Sequence, residues 1–128
     1  MADTKMAAVQ AKLQTQSRDF QKLEAEMAGV IEARQRLDAQ QSENEQVLKE
    51  FAALKPHNTV YKLIGPGLVQ QDHAEAKANV EKRLEFIKSE IKRVEAQIKE
   101  QEAVAGKKKE EIMALQREFQ ALQGPSKA

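Results

Sequence analysis

The chain has 128 residues, of which 32% are charged and only 4% aromatic, with no Trp, a single Tyr and no Cys. Ala supplies much of the 41% hydrophobic content, which excludes a globular core of ordinary aliphatic and aromatic make-up and fits a coiled coil or long helix. Twenty-one Lys and Arg against twenty Asp and Glu leave a formal charge of +1, too little for a field that gathers nucleic acid or an anionic membrane; without Cys there is no disulfide framework, thiolate nucleophile or Cys-based zinc site.

The opening "MADTKMAAVQ" lacks the apolar core of a signal peptide, and no run approaches the length of a membrane span. A cytoplasmic or nuclear protein is the expected default, the first of these preferred. From Met6, alternating steps of three and four residues give Met6, Val9, Leu13, Gln16, Phe20, Leu23, Met27, Val30, Arg34, Leu37, Gln41, Asn44, Leu48 and Phe51. Ten of these fourteen are apolar. That spacing is a coiled-coil seam on one continuous helix, stopped at Lys55-Pro56 because proline disfavours helical geometry at the residue before it.

The densest apolar run, Val60 to Val69, follows within "VYKLIGPGLVQQ". Two β-prone segments, Val60 to Ile64 and Leu68 to Gln71, flank Gly65-Pro66-Gly67. The run reads as a β-hairpin, with Pro66 expected at the first central turn position and Gly67 supplying a positive φ at the second. Alternation puts Val60, Lys62 and Ile64 on one face and Tyr61 and Leu63 on the other. Both faces are therefore apolar, and a lone two-stranded hairpin is marginal in water. Other chains are the expected cover.

A second seam starts at Val80 and continues through Leu84, Ile87, Ile91, Val94, Ile98, Gln101, Ala105, Lys108, Ile112, Leu115, Phe119 and Leu122; eleven of the thirteen are apolar. Asp72 with Glu75 resembles a capping box at its start, and Gly124-Pro125 marks its end. The helices, about 50 residues each, would both run about 70 to 75 Å, and equal length invites antiparallel pairing. Registers one heptad apart remain open. Gly29 and Gly106 sit inside the helices at a cost of about 1 kcal/mol each relative to Ala.

The expected fold is mainly α: a long antiparallel coiled-coil helical hairpin whose helices are joined by a single β-hairpin. One domain spans 1–128, with a coiled-coil helix over 5–55, the oligomerisation hairpin over 58–71, a second coiled-coil helix over 73–123 and a tail over 124–128.

The segment "VYKLIGPGLVQQD", with "EKRLEFIKSEIKR" and "ALQREFQ" further on, closely resembles the β-type subunits of prefoldin over nearly the whole chain. Gly67, where relatives tend to carry an apolar residue, and Gln70, where Lys is expected, depart from the pattern. The resemblance implies a hetero-hexamer of two α-type and four β-type chains whose hairpins build a barrel platform. It also implies capture of non-native polypeptides, actin and tubulin among them, and their delivery to the cytosolic chaperonin without ATP. On this chain the platform residues would be Val60, Tyr61, Lys62, Leu63, Ile64, Leu68 and Val69.

Met6, Val9, Leu13, Leu115, Phe119 and Leu122 form the last layers of the helix pair. Ordinary seam packing is the bland reading, favoured for Leu13 and Leu115; contact with unfolded chains at fraying helix ends is the sharper one, for which the flexible thioether of Met is well suited. His57 and His73 lack ligand spacing and read as turn and first-turn residues, so no metal and no cofactor is expected. Lys107-Lys108-Lys109 is balanced by Glu110 and Glu111 and reads as a solvated face. Carboxylates without a pocket, and the absence of a phosphate-cradling loop, argue against an enzyme. The rival to a chaperone subunit is a structural coiled-coil spacer or tether whose hairpin docks one fixed partner.

Overall fold

A computed structural model describes residues 2–124; Met1 and residues 125–128 of the expected tail lie outside the described residues. Helix α1 runs Ala2–Ala53, strand β1 Val60–Ile64, strand β2 Gly67–Gln71 and helix α2 His73–Gln123. Two long helices joined by a two-stranded antiparallel hairpin are the fold expected from the two heptad stripes and the run between them. The chain divides into two compact units, one of residues 1–31 with 96–128 and one of residues 32–95.

All fourteen seam positions of α1 and all thirteen of α2 are buried or half-buried, while most residues between them face solvent. The 3.5-residue stripe therefore selects the inward face along both helices. In the unit holding both chain ends, Lys108 Nζ on α2 donates to Gln16 Oε1 on α1 at 3.2 Å and approaches Asp19 Oδ2 at 3.8 Å. Ala11, Lys12, Thr15 and Gln16 share a groove with Glu111, Ala114 and Leu115. Asp19, Lys22 and Leu23 share another with Val104 and Lys108. Numbers rise on one helix as they fall on the other, so this pair is antiparallel. These contacts choose among the registers left open by the sequence, setting Lys108 beside Gln16 and Asp19 and Leu115 beside the segment holding Ala11 and Gln16.

The other unit is packed more densely on its α2 side, where Ala76, Val80, Leu84, Ile87, Ile91 and Val94 are buried. The buried face of α2 thus reaches back to Ala76, which lies off the stripe that starts at Val80. Arg34 interrupts the α1 stripe, but its guanidinium bonds Asp38 on its own helix and Glu95 Oε1 across the pair at 2.6 Å. The hydrogen bond to Asp38, and then that to Glu95, raises the Arg34 pKa above its ordinary value. A polar seam residue of this kind weakens packing while fixing which positions face each other.

The helix ends are closed by local chemistry. After Ala53 the chain turns through Pro56 and His57, with Asn58 N donating to Lys55 O at 3.0 Å and Asn58 Oδ1 accepting from Lys55 N at 2.8 Å. Asp72 caps α2, its Oδ2 accepting from Glu75 N at 3.1 Å and its carbonyl from Ala76 N at 2.9 Å. His73 Nε2 hydrogen-bonds the Asn58 carbonyl, tying the loop after α1 to the first turn of α2. Gly124, with φ of 84°, terminates α2 and donates to Ala121 O at 3.3 Å.

A Cβ added at Gly29 or Gly106 meets no atom within 4 Å, so neither glycine is demanded by packing. Gly29→Ala and Gly106→Ala should each stabilise the helix pair by about 1 kcal/mol. Gln101 Oε1 is buried without a protein partner, and Gln101→Leu should add about 1 kcal/mol or more by removing that orphan. Thermal unfolding followed by circular dichroism checks all three; a lower midpoint for any of them would contradict this account of the seam.

Candidate functional site: an uncovered β-hairpin and an apolar helix end

The hairpin register pairs Val60 with Gln71, Tyr61 with Gln70, Lys62 with Val69, Leu63 with Leu68 and Ile64 with Gly67. The two-residue connection is Gly65-Pro66, and the positive φ lies at Gly65, 58°, with Gly67 already in strand β2. This corrects the sequence expectation by one residue. A glycine with positive φ followed by proline defines a II′ turn, whose twist matches that of the flanking strands, whereas the expected turn centred on Pro66 and Gly67 would splay them. The physical reason is that strand twist, a tertiary property, decided between two turns that the tripeptide allows equally.

One face of the sheet carries Tyr61, Leu63 and Leu68 beside Gln70; the other carries Val60, Ile64 and Val69 beside Lys62 and Gln71. Only the strand ends nearest the helices, Val60 and Gln71, are half-buried. Leu63 is 69% exposed and Leu68 67%, and Tyr61, Ile64 and Val69 are exposed as well. With just two strands in the sheet, each strand also has an unpaired edge of backbone N–H and C=O groups. Every one of the seven hairpin residues singled out in the sequence falls on this element.

In the unit with both chain ends, Val9 is buried at 5% exposure, and Met6, Leu13, Leu115, Phe119 and Leu122 are half-buried. Val9 can meet another molecule only if the helices part there. Periodicity missed Met113, 47% exposed, because it lies off the seam. It missed Phe86 for the same reason: this ring stands 64% exposed on α2 in the unit that holds the hairpin. An apolar residue outside the stripe is the one signal that could have flagged them.

A helical pair closed by polar caps, carrying a small sheet that its own chain leaves open, is the architecture of a subunit. The chain belongs to the prefoldin subunit family, whose model matches residues 4–119. It is 42% identical over 123 residues to prefoldin subunit 6 of Mus musculus, covering 94% of this chain and 97% of that one. It is 40% identical over 129 residues to prefoldin subunit 6 of Arabidopsis thaliana, covering 100% of both. The crystal structure of the prefoldin beta subunit from Thermococcus strain KS-1 has the same fold, with a TM-score of 0.63 at 20% identity, over 90% of this chain and 95% of that chain. The protein is a subunit of a prefoldin-type chaperone. Among the described residues, no helix is long and apolar enough to cross a membrane.

The corrected turn carries its own test. Gly65→Ala places a side chain at positive φ and should destabilise the hairpin by about 1 kcal/mol. Gly67→Val should be tolerated, since an added Cβ there meets only Ile64 O at 3.7 Å and a β-branched residue favours a strand. Equal loss of folded complex for both, read by native mass spectrometry against temperature, would restore the expected turn.

Proposed function

We propose that this chain lends its hairpin to a shared platform in a prefoldin hetero-hexamer of two α-type and four β-type chains, and that its helix pair holds non-native polypeptide. The observation that carries the reading is the set of exposed apolar side chains on both faces of a two-stranded sheet, Tyr61, Leu63, Ile64, Leu68 and Val69. Fully covering one such side chain contributes about 1.5 to 3 kcal/mol, so several together sustain a stable assembly. The unpaired strand edges offer partners a ladder of backbone hydrogen bonds.

The mechanism proposed for the helix end is binding alone. Met6, Leu13, Leu115, Phe119 and Leu122 are already half-buried, so covering each fully contributes only about 1 kcal/mol. Their sum is comparable to the several kcal/mol lost on association. One helix pair therefore grips poorly, whereas several held on one platform act by effective concentration. This arithmetic suits a client that must be held and then surrendered without ATP, as in delivery of actin or tubulin chains to the cytosolic chaperonin. A cytosolic location and a non-enzymatic role belong to the same proposal.

Two variants of the assembled complex test it. Leu63→Asp should reduce assembly more than about 100-fold, because a lost apolar contact and a desolvated charge together exceed about 3 kcal/mol. Deleting residues 1–10 and 118–128 should leave assembly intact while raising light scattering of diluted, denatured actin toward that of actin alone. Undiminished protection after the deletion would favour a passive spacer over a holding arm.

A further inference from the structure

Val47 and Phe51 of α1, Val60, Tyr61 and Lys62 of β1, and Ala76, Val80 and Arg83 of α2 line a groove of about 480 Å³ at the base of the hairpin, roomy enough for a short peptide segment. Its charged lining is wholly cationic. Lys62 is the only charged residue between Val60 and Gln71, and among the described residues neither it nor Arg83 pairs with a carboxylate. The carboxylates close by are otherwise placed: Asp72 caps α2, and Glu50 lines an adjoining hollow without bonding either cation. Phe86, one helical turn beyond Arg83, is exposed, so the surface is apolar as well as basic.

We infer that this groove docks an apolar segment bearing an Asp or Glu from a different prefoldin subunit, and that Lys62 and Arg83 select that subunit against a second copy of this chain. The inference rests on the platform reading above. A second copy brings no carboxylate on its own hairpin strands, only another Lys62. Opposite charges at an interface choose partners and speed encounter, while like charges juxtaposed oppose it. Apolar faces alone do not disfavour a second copy, which offers the same exposed Tyr61, Leu63, Ile64, Leu68 and Val69.

The test is competitive assembly with limiting amounts of the other subunits, using isotope-labelled wild type against Lys62→Gln/Arg83→Gln, read by native mass spectrometry. The variant should enter about tenfold less often at about 50 mM salt and approach parity near about 500 mM, where surface charges are screened. Zero-length carbodiimide coupling of the wild-type complex should join Lys62 to an Asp or Glu of another subunit. Parity at low salt, a deficit insensitive to salt, or coupling of Lys62 to a second copy or to a bound non-native chain would overturn the inference. Leu63→Asp in the same mixture separates the two levels: if it is excluded while the glutamine variant enters at parity, only charge selection fails, and if it enters like wild type the platform reading itself fails.

Discussion

Ten strand residues cannot cover two faces and two edges of a sheet. The hairpin of this chain meets that limit directly: Val60 and Gln71 gain partial cover from the helix ends, and every residue from Tyr61 to Gln70 is left exposed. The helices cannot help further because their apolar surface is a narrow stripe already spent on pairing. A wider stripe on α2 could have folded back over the sheet. Instead most residues flanking the seam are Lys, Arg, Glu and Gln, which prefer water, with Phe86, Val104 and Met113 as isolated exposed exceptions.

The seam itself is uneven. In the unit holding the hairpin, six α2 residues are buried, five of them branched aliphatics; in the unit holding the chain ends, Val9 is the buried hydrophobic among the described residues. That second unit also contains Gln16, Gln101, Ala105 and Lys108 on its seam and both helix-interior glycines, Gly29 and Gly106. Segments with few buried apolar contacts open at lower free energy than well-packed ones. Only some polar seam residues find each other across the pair, Lys108 with Gln16 among them. Gln101 Oε1 is buried without a protein partner and Lys108 reaches Gln16 and Asp19, so the pair keeps its register without a dry core.

Much of this was legible from residue spacing, since burial on a long two-helix pair is set almost wholly by period. The stripe from Met6 to Phe51 and that from Val80 to Leu122 mark the covered positions without a slip. What spacing could not reach are features decided by a third element. The turn moved from Pro66-Gly67 to Gly65-Pro66 because paired strands twist. Ala76 joined the core because its small side chain sits beside the hairpin base, where no heptad arithmetic from Val80 pointed. The groove of Lys62 and Arg83 needs both helices and a strand, and nothing in the run of residues from 62 to 83 announces that they share a hollow. Phe86 and Met113 look like stray apolar residues until exposure is known.

Strength and weakness are thus distributed along the chain in a way that suits the proposed work. Lasting assembly requires large apolar area and defined partners, and the hairpin offers both: bare Leu63 and Leu68 for affinity, a solitary Lys62 beside Arg83 for choice. Transient holding requires the opposite, and the helix end offers side chains whose burial is already half complete. If the two were exchanged, with uncovered leucines at the helix end and half-spent ones on the sheet, the complex would fall apart while its clients stayed bound. The division follows from one elementary fact: the free energy available from an apolar side chain is the area it has not yet buried.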